Sequence, residues 1–281
     1  MWAVIGAIAQ VTERIRVGTG VTCPTTRIHP AIVAQAAATA AAMLPGRFWF
    51  GIGSGENLNE HVVGARWPEP AVRQERMAEA VAVIRLLWQG ALCSHHGRHF
   101  TVENARLYTL PEEPPPIYVA TGGTGRATEI AAEIGDGMIG LPPDREMIAT
   151  FERAGGAGKP RFGQIHVCWA GSQAEARRTA LEWWPNALAG HGLAWELPLP
   201  SHFEAATEWG TEDAIAEQIV CATDAAPIVE AVSEYTEAGY DHVYLHQVGP
   251  RQDAFLDFSE RELLPALRGL RAGAGAAGGG G

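Results

Sequence analysis

The segment GIGSGENLNE, which follows the apolar run RFWF, combines glycines, carboxylates and two amides. Gly53 and Gly55 would let a flat ligand approach the backbone, and Ser54 and Asn59 offer hydrogen bonds. Glu56 is the candidate for proton transfer, because a carboxyl group among apolar walls can have its pKa raised toward neutrality. The alternative is structural: Ser54 would cap a helix whose first turns carry the two glutamates. The two interpretations are compatible.

A second glycine-rich segment, GGTGRAT, follows the predicted strand PIYVA. Gly122, Gly123 and Gly125 would let backbone amides approach an anion at the N-terminus of the next helix, where the partial positive charge favours phosphate. Arg126 could add a charge-assisted contact. A tight turn between strand and helix without any ligand explains the same glycines, since a lone glycine cluster is a weak signal.

The cysteines, histidines and tryptophans give weaker indications. Cys23 is better explained as a small buried hydrophobe than as a nucleophile, because no partner histidine is identifiable. His95, His96 and His99 favour a solvated hairpin over a metal site, and His246 either faces the interior of the fold or packs in its core. The widely spaced cysteines contain no CxxC pair, so neither a metal site nor a disulfide framework is expected. Four tryptophans either line the floor of an apolar substrate pocket or pack within the fold without contacting a ligand: Trp183, Trp184, Trp195 and Trp209.

Strand-like and helix-like segments alternate along the chain. The predicted strands are residues 14–22, 48–52, 116–120, 135–141, 164–170 and 242–248. The predicted helices cover residues 2–10, 29–44, 70–89 and 253–270, with further helices between the later strands. This alternation predicts an α/β fold with a parallel sheet covered by helices. Six strands suit an open doubly wound sheet or an eight-stranded TIM-type barrel lacking two strands; the barrel is favoured because the candidate residues all follow strand ends.

The pattern predicts a single domain over residues 1–271. Within it we expect a hairpin insertion near residues 93–109 and an irregular insertion near residues 180–212. Residues 272–281 are rich in glycine and are expected to be a disordered tail.

Composition limits the classes of function. The chain has 281 residues, of which 47% are hydrophobic and 19% charged, as in ordinary globular proteins. A net charge of -11 without a basic stripe argues against nucleic-acid binding. The apolar first residues lack a preceding basic region and are too few to cross a bilayer, so neither a signal peptide nor a membrane partner is expected. A cytoplasmic protein with reduced cysteines is the expectation.

Three segments together resemble the luciferase-like flavin and deazaflavin oxidoreductases: VGTGVTCPTTRIHPAIVAQA, GIGSGENLNE and YVATGGTGRATEIAAEIGDGMI. The likeness covers nearly the whole chain and is greatest to the deazaflavin-dependent glucose-6-phosphate dehydrogenase group, through the SGExLNE element and its spacing to TxRxxPA. It implies a (β/α)8 barrel, usually a homodimer. It also implies coenzyme F-420 (8-hydroxy-5-deazaflavin), which carries a hydride to or from a small-molecule substrate.

The resemblance also implies roles for single residues. Glu56 matches the family's proton-transferring glutamate, and Cys23 falls where the family often has a threonine beside the deazaflavin. The peptide bond between Gly20 and Val21 matches a cis bond of the family. The positions implied as coenzyme contacts are Gly20, Val21, Cys23, Ser54, Gly55, Asn59, Gly122, Gly123, Gly125 and Arg126.

The chain departs from this family in its substrate positions. Two lysines and an arginine that bind the sugar phosphate correspond here to Asp144, Glu217 and Ala254, and Leu141 replaces a threonine. Two acids and an alanine would repel a phosphate dianion. We therefore expect a neutral or apolar alcohol, carbonyl or enone rather than glucose 6-phosphate, with Leu141 and His246 as candidate pocket residues.

The second departure concerns the start of the chain. The family's first strand, first helix and second strand would precede Met1, together with an Asp-His and Trp motif. The resemblance therefore predicts an N-terminally truncated barrel with about six strands. An FMN-dependent monooxygenase of the same superfamily and a coenzyme-binding protein without turnover are the alternative functions.

Overall fold

The computed structural model describes residues 1–277, except for the side chains of His191 and of residues 271–277. Contacts divide the chain into two compact units, and each is described by itself. The first unit comprises residues 1–140 and 149–160, and the second comprises residues 141–148 and the chain from Arg161 onward. The predicted single domain stays a prediction.

The first unit is a parallel sheet with helices and one hairpin. Its elements are α1 (Trp2–Val11), β1 (Val17–Gly18), α2 (Pro30–Met43), β2 (Phe48–Ile52), α3 (Asn57–Glu60), α4 (Pro70–Leu87), β3 (Cys93–His96), β4 (Thr101–Ala105), β5 (Ile117–Thr121), α5 (Arg126–Ile134) and β6 (Gly137–Gly140). A 3-10 turn, His61–Val63, follows α3. Strands β1, β2, β5 and β6 pair in that order and are all parallel, whereas β3 and β4 form an antiparallel hairpin.

The second unit is built from three parallel strands and several helices. Helix α6 (Arg145–Phe151) begins in it, and its further elements are β7 (Arg161–Trp169), α7 (Gln173–Trp183), α8 (His191–Ala194), α9 (Pro200–Thr207), α10 (Glu212–Ala216), β8 (Val220–Ala222), α11 (Ala226–Ala238), β9 (His242–Gln247), α12 (Gln252–Phe258) and α13 (Leu264–Ala277). A 3-10 turn spans Pro185–Ala189 and a π-helical turn spans Ser259–Leu263, whereas the π-helical turn Glu152–Gly156 belongs to the first unit. Strand β7 pairs with both β8 and β9.

The best-predicted elements have strong local signals. All five residues of β2 are buried, as expected for a parallel strand covered on both faces, and its predicted ends match the structure. Pro30 and Pro70 occupy the first turns of α2 and α4, where a missing backbone N–H costs no helical hydrogen bond. In the described part of the chain no helix is both long and apolar enough to cross a bilayer.

The strand prediction requires two corrections. The count of six parallel strands is too low, because β8 is a seventh; its three residues are too few to show a hydrophobic period. The first predicted strand, residues 14–22, is reduced to Val17–Gly18, and the chain then rejoins the sheet through one bridge between Thr22 and Ile52.

Two later segments are more helical than expected. The insertion near residues 180–212 consists mainly of short helices, namely the end of α7, a 3-10 turn, α8 and α9. Helix α13 continues through Ala277, so residues 272–277 of the predicted tail are helical. Alanine, the best helix former, supplies four of those six residues. Residues 278–281 lie outside the described residues.

The hairpin β3–β4 is attached to α4 by carboxylates. The carboxylate of Glu79 accepts hydrogen bonds from the backbone N–H groups of His99 (3.0 Å) and Phe100 (2.8 Å). It also lies 3.1 Å from Nε2 of His95, and Glu75 lies 3.2 Å from Nε2 of His99. His95 and His99 therefore dock the hairpin on α4, whereas His96 pairs with Glu103 within the hairpin. Among the described residues, no group of three or more histidines, cysteines or acids could hold a metal ion.

Replacing Glu79 with Gln should weaken this attachment in a pH-dependent way. Burial raises the pKa of the Glu79 carboxyl, but hydrogen bonds from His95 and from the two backbone N–H groups outweigh it and hold the pKa below its ordinary value of 4.5. A lowered folded-state pKa contributes stability that is present above about pH 4.5 and is lost as the pH falls through the lowered pKa. At pH 7 the variant should lose about 1–3 kcal/mol of hairpin stability, measured by hydrogen exchange of the His99 and Phe100 amides.

The matched control is Glu103→Gln. The exposed Glu103 carboxylate pairs with His96 in the same hairpin, and an exposed pair contributes little stability. The difference in exchange between the Glu79 variant and the unmodified protein should shrink from pH 7 to near pH 4. An equal difference at both pH values would show that ionisation of Glu79 does not stabilise the hairpin.

Candidate functional site

The loops that follow β1, β2 and β5 leave the same edge of the first unit's sheet. Ile52, at the end of β2, lies opposite Thr22 on one side and opposite Val119 of β5 on the other. Because the three strands run parallel, their carboxyl ends lie side by side. The three loops predicted to contact a ligand are therefore neighbours within one unit.

Hydrogen bonds continue between the first two loops beyond the ends of the strands. The backbone N–H of Thr22 donates to the carbonyl oxygen of Gly51 (2.9 Å), and that of Gly53 donates to the carbonyl oxygen of Thr22 (3.0 Å). Farther along, the hydroxyl of Thr25 donates to the carbonyl oxygen of Ser54 (3.1 Å). The two loops are thus held in a fixed register.

The glycines at the end of β2 and in the loop after it are explained first by contact with the loop after β1. A Cβ on Gly51 would lie 1.9 Å from the carbonyl oxygen of Thr19, and a Cβ on Gly53 would lie 2.7 Å from Cγ2 of Val21. Gly55 has a φ of +101°, which favours glycine. The space that Gly53 would offer to a flat ligand is therefore occupied by protein.

Other glycines do leave room for a ligand. Apart from the adjoining residues of the chain, no described protein atom lies within 4 Å of the position that a Cβ would take at Gly20, Gly123 or Gly125. The peptide bond between Gly20 and Val21 is cis, as the family resemblance implies. Open space thus lies beside the first and third loops.

Glu56 stands at the N-cap of α3 and is exposed to solvent. The expected cap, Ser54, lies two residues too early, and the side chain of Glu56 makes no capping hydrogen bond. Although the residue as a whole is exposed, the surrounding protein partly desolvates its carboxyl group and raises its pKa above the ordinary 4.5, against the opposing effect of a hydrogen bond from Nδ2 of Asn59 (3.2 Å). The group is accessible and its pKa is shifted in the direction that suits a proton donor.

Cys23 is a half-buried, desolvated thiol rather than a nucleophile. Burial raises its pKa to about 12, and the nearby negative charges of Glu60 and Glu56 act in the same direction. The charge of Arg27 and a hydrogen bond from the backbone N–H of Gly55 oppose this shift. At neutral pH the group is therefore a neutral thiol, and reactive cysteines require the thiolate.

Two threonines fix the glycine turn after β5. The hydroxyls of Thr121 and Thr128 lie 2.9 Å apart, and each lies within hydrogen-bonding distance of the carbonyl oxygen of Gly123. Gly125, with a φ of 90°, is the N-cap of α5 and offers no side chain to the first amides of the helix. The two hydroxyls thus hold the carbonyl oxygen of Gly123, while the Cβ positions of Gly123 and Gly125 are open.

Arg126 points along its own helix. Its guanidinium lies 2.7 Å from Glu133 and 3.3 Å from Glu129, and these carboxylates raise the arginine's pKa. The implied contact with a coenzyme phosphate would require the side chain to leave these partners, so that role stays a prediction.

The two candidate pocket residues belong to the second unit. The carbonyl oxygen of Leu141 accepts a hydrogen bond from the hydroxyl of Tyr235. His246 on β9 lies opposite His166 on β7, with their Nδ1 atoms 2.9 Å apart, and burial lowers the pKa of His246 below its ordinary 6.5. Of the tryptophans, Trp184 packs on both histidine rings. Two others are exposed: Trp183 and Trp209.

Sequence reasoning assigned no site role to Glu60. Its side chain is 1% exposed and joins the loop after β2 to the loop after β1, through a hydrogen bond from the backbone N–H of Arg27. No signal in the sequence separates this buried glutamate from a solvated one, because a helix of four residues shows no hydrophobic period.

Comparison with known proteins places this architecture in a family. The luciferase-like monooxygenase family model matches residues 1–242. The chain is 35% identical over 280 residues to an F420-dependent glucose-6-phosphate dehydrogenase of Nocardia farcinica, covering 95% of this chain and 83% of that protein. It is 34% identical over 284 residues to the protein of the same name from Segniliparus rotundus, covering 96% and 84%.

A solved structure extends the similarity to three dimensions. An F420-dependent secondary alcohol dehydrogenase, in complex with an F420–acetone adduct, is 29% identical and superposes with a TM-score of 0.87 over 95% of this chain and 83% of that one. The similarity confirms the predicted α/β fold of the luciferase-like class. Since the family model also matches well over half of the sequence, the chain belongs to the luciferase-like monooxygenase family.

Proposed function

We propose that the protein is a coenzyme F-420-dependent oxidoreductase that transfers a hydride between the coenzyme and an alcohol, carbonyl or enone. The observation that carries the proposal is the meeting of three loops at one sheet edge, with open space beside Gly20, Gly123 and Gly125. Relatives named for different substrates but the same coenzyme support it. A cytoplasmic homodimer remains part of the expectation.

The residues present fit a deazaflavin coenzyme. The open backbone at Gly123 and Gly125, next to the N-terminus of α5, suits a phosphate group, since the amides there point toward a bound anion. Ser54 and Asn59 would hydrogen-bond the ring system, and the neutral thiol of Cys23 would lie beside it without attacking it. When bound, the coenzyme supplies a two-electron hydride carrier.

Glu56 handles the accompanying proton. Its raised pKa enlarges the protonated fraction near neutral pH, so that the carboxyl group can donate a proton and, once ionised, can accept one. The hydrogen bond from Asn59 holds one carboxyl oxygen in a defined orientation. The side chain is exposed, so a ligand at the loops can meet it.

Sugar phosphates fit the substrate positions poorly. Asp144 accepts hydrogen bonds from the backbone N–H groups of Glu146 (2.8 Å) and Met147 (3.2 Å), which fixes its negative charge at the start of α6. Glu217 and Ala254 are exposed and bring no positive charge. A phosphate dianion would meet repulsion where the resembling enzymes place cations.

Titration of tryptophan fluorescence distinguishes the coenzymes. We expect coenzyme F-420 to quench the fluorescence saturably and to bind at least about tenfold more tightly than FMN. Tighter binding of FMN would contradict the proposal and favour the monooxygenase alternative. Saturable F-420 binding with no turnover of any alcohol, carbonyl or enone would favour a binding protein.

The variant Glu56→Gln tests the proton-transfer role. Loss of a general acid should lower kcat by about 10²–10⁴-fold, while the coenzyme affinity stays nearly the same. In the direction in which Glu56 donates, the rate should fall as the pH rises through the raised pKa, so this limb lies above pH 4.5 and disappears in the variant. The control is Glu69→Gln, an exposed residue of the same unit with no side-chain capping bond. A variant with unchanged turnover and pH profile would remove Glu56 from the mechanism.

A substrate panel tests the expectation about phosphate. Secondary alcohols such as isopropanol should give a kcat/KM at least about a hundredfold above that for glucose 6-phosphate, because a repelled dianion loses several kcal/mol of binding. Efficient oxidation of glucose 6-phosphate would show that other cations bind the phosphate.

A further inference from the structure

A buried carboxyl group lies between the loops that carry Cys23 and Glu56. Glu60 is 1% exposed, and its Oε2 accepts a 2.7 Å hydrogen bond from the backbone N–H of Arg27. Its Oε1 has no hydrogen-bond partner among the described residues and lies 3.7 Å from Nε of Arg27. Burying a carboxylate with one unsatisfied oxygen costs folding free energy. The question is therefore what the buried group does for the surrounding loops.

Helix α3 depends on this anchor. It has only four residues, its N-cap residue Glu56 provides no side-chain cap, and helices this short are not stable on their own. The backbone N–H of Glu60 donates to the carbonyl oxygen of Glu56 at 3.1 Å. Whatever holds the end of α3 therefore also holds the backbone of Glu56 at its start.

Both neighbouring loops are built against Glu60. A Cβ on Gly55 would lie 3.2 Å from Cγ of Glu60, so the absence of a side chain there makes room for the glutamate. On the other side, Nη1 of Arg76 supports the loop after β1, lying 3.4 Å from the carbonyl oxygen of Thr25 and 3.3 Å from the hydroxyl of Thr26. The carboxyl group of Glu60 thus links the segment at Gly55 to the loop after β1 that Arg76 supports.

We propose that Glu60 is a positioning residue: its carboxyl group fixes the loop after β1 against α3 and thereby sets where Glu56 stands relative to the coenzyme. The inference rests on the proposed function, because Glu56 has its proton-transfer role only there. Glu60 itself touches neither coenzyme nor substrate, since its side chain is enclosed by protein.

The first test needs no coenzyme. Alkylation by iodoacetamide is followed by peptide mass spectrometry, with the half-buried Cys93 of the hairpin as an internal reference. In Glu60→Ala the loop that carries Cys23 should loosen, and the rate at Cys23 relative to Cys93 should rise about tenfold or more. Glu60→Gln retains an oxygen that can accept from Arg27 and should show a smaller rise, due to its lost charge.

A stability-matched variant separates positioning from general destabilisation. Val83 is fully buried in α4 of the same unit, so Val83→Ala lowers stability by leaving a cavity in the core. It should leave the relative Cys23 rate unchanged. The proposal is overturned if the relative Cys23 rate in Glu60→Ala equals that of the unmodified protein. It is also overturned if Val83→Ala shows the same rise as Glu60→Ala, or if Glu60→Gln and Glu60→Ala show equal rises.

The second test uses the coenzyme-loaded enzyme. In Glu60→Ala the loosened Glu56 should become more hydrated, so the limb of the kcat–pH profile assigned to Glu56 moves toward its ordinary pKa and kcat falls about tenfold or more. Glu60→Gln should recover most of kcat, and Val83→Ala should keep the native limb. A limb that does not move in Glu60→Ala would overturn the positioning role alone.

Failure of coenzyme F-420 to bind the unmodified protein would overturn the proposed function. The alkylation comparison would still decide whether Glu60 joins the two loops.

Discussion

The carbonyl oxygen of Gly51 is the point at which the chain after β1 is fixed to β2. It accepts hydrogen bonds from the hydroxyl of Thr19 (2.7 Å) and from the backbone N–H of Thr22 (2.9 Å). The approach is so close that a Cβ on Gly51 would lie 1.9 Å from the carbonyl oxygen of Thr19. The contacts beyond this point, from Thr25 to Ser54 and from Arg27 to Glu60, require the register that it sets. The geometry of the candidate site is therefore a consequence of backbone packing at one glycine.

The sequence predicts elements whose signal is local. Strand β2 is a continuous apolar run and α2 begins at a proline, so both were placed within a residue or two. Strand β8 has only three residues, and β1 shrinks to two because the chain leaves the sheet at Thr19 to cross toward Gly51. Those features depend on neighbouring strands, which a one-dimensional pattern does not contain.

In the candidate site, too, the sequence shows which residue types are present but not which contacts they make. The sequence identifies which loops are rich in glycine, but it does not show that the space at Gly53 is filled by Val21 while that at Gly123 is open. The contacts of long charged side chains are harder still to predict, because several partners lie within their reach and only the fold determines which. Arg126 binds Glu133 instead of reaching across its turn, and Glu60 is buried instead of facing solvent at the end of a helix.

These contacts account for how one coenzyme site could serve different substrates. The proposed coenzyme contacts are mostly backbone groups whose positions follow from parallel strand pairing, so changes in side chains elsewhere leave them intact. The proposed substrate positions include side chains at helix ends, such as the half-buried Asp144 before α6 and the exposed Glu217 after α10. A change from lysine to acid at such a position alters the local potential by two charges but adds no strain to the sheet. Coenzyme and substrate preference can therefore change independently, and identity to a sugar-phosphate enzyme over most of the chain does not by itself determine the substrate.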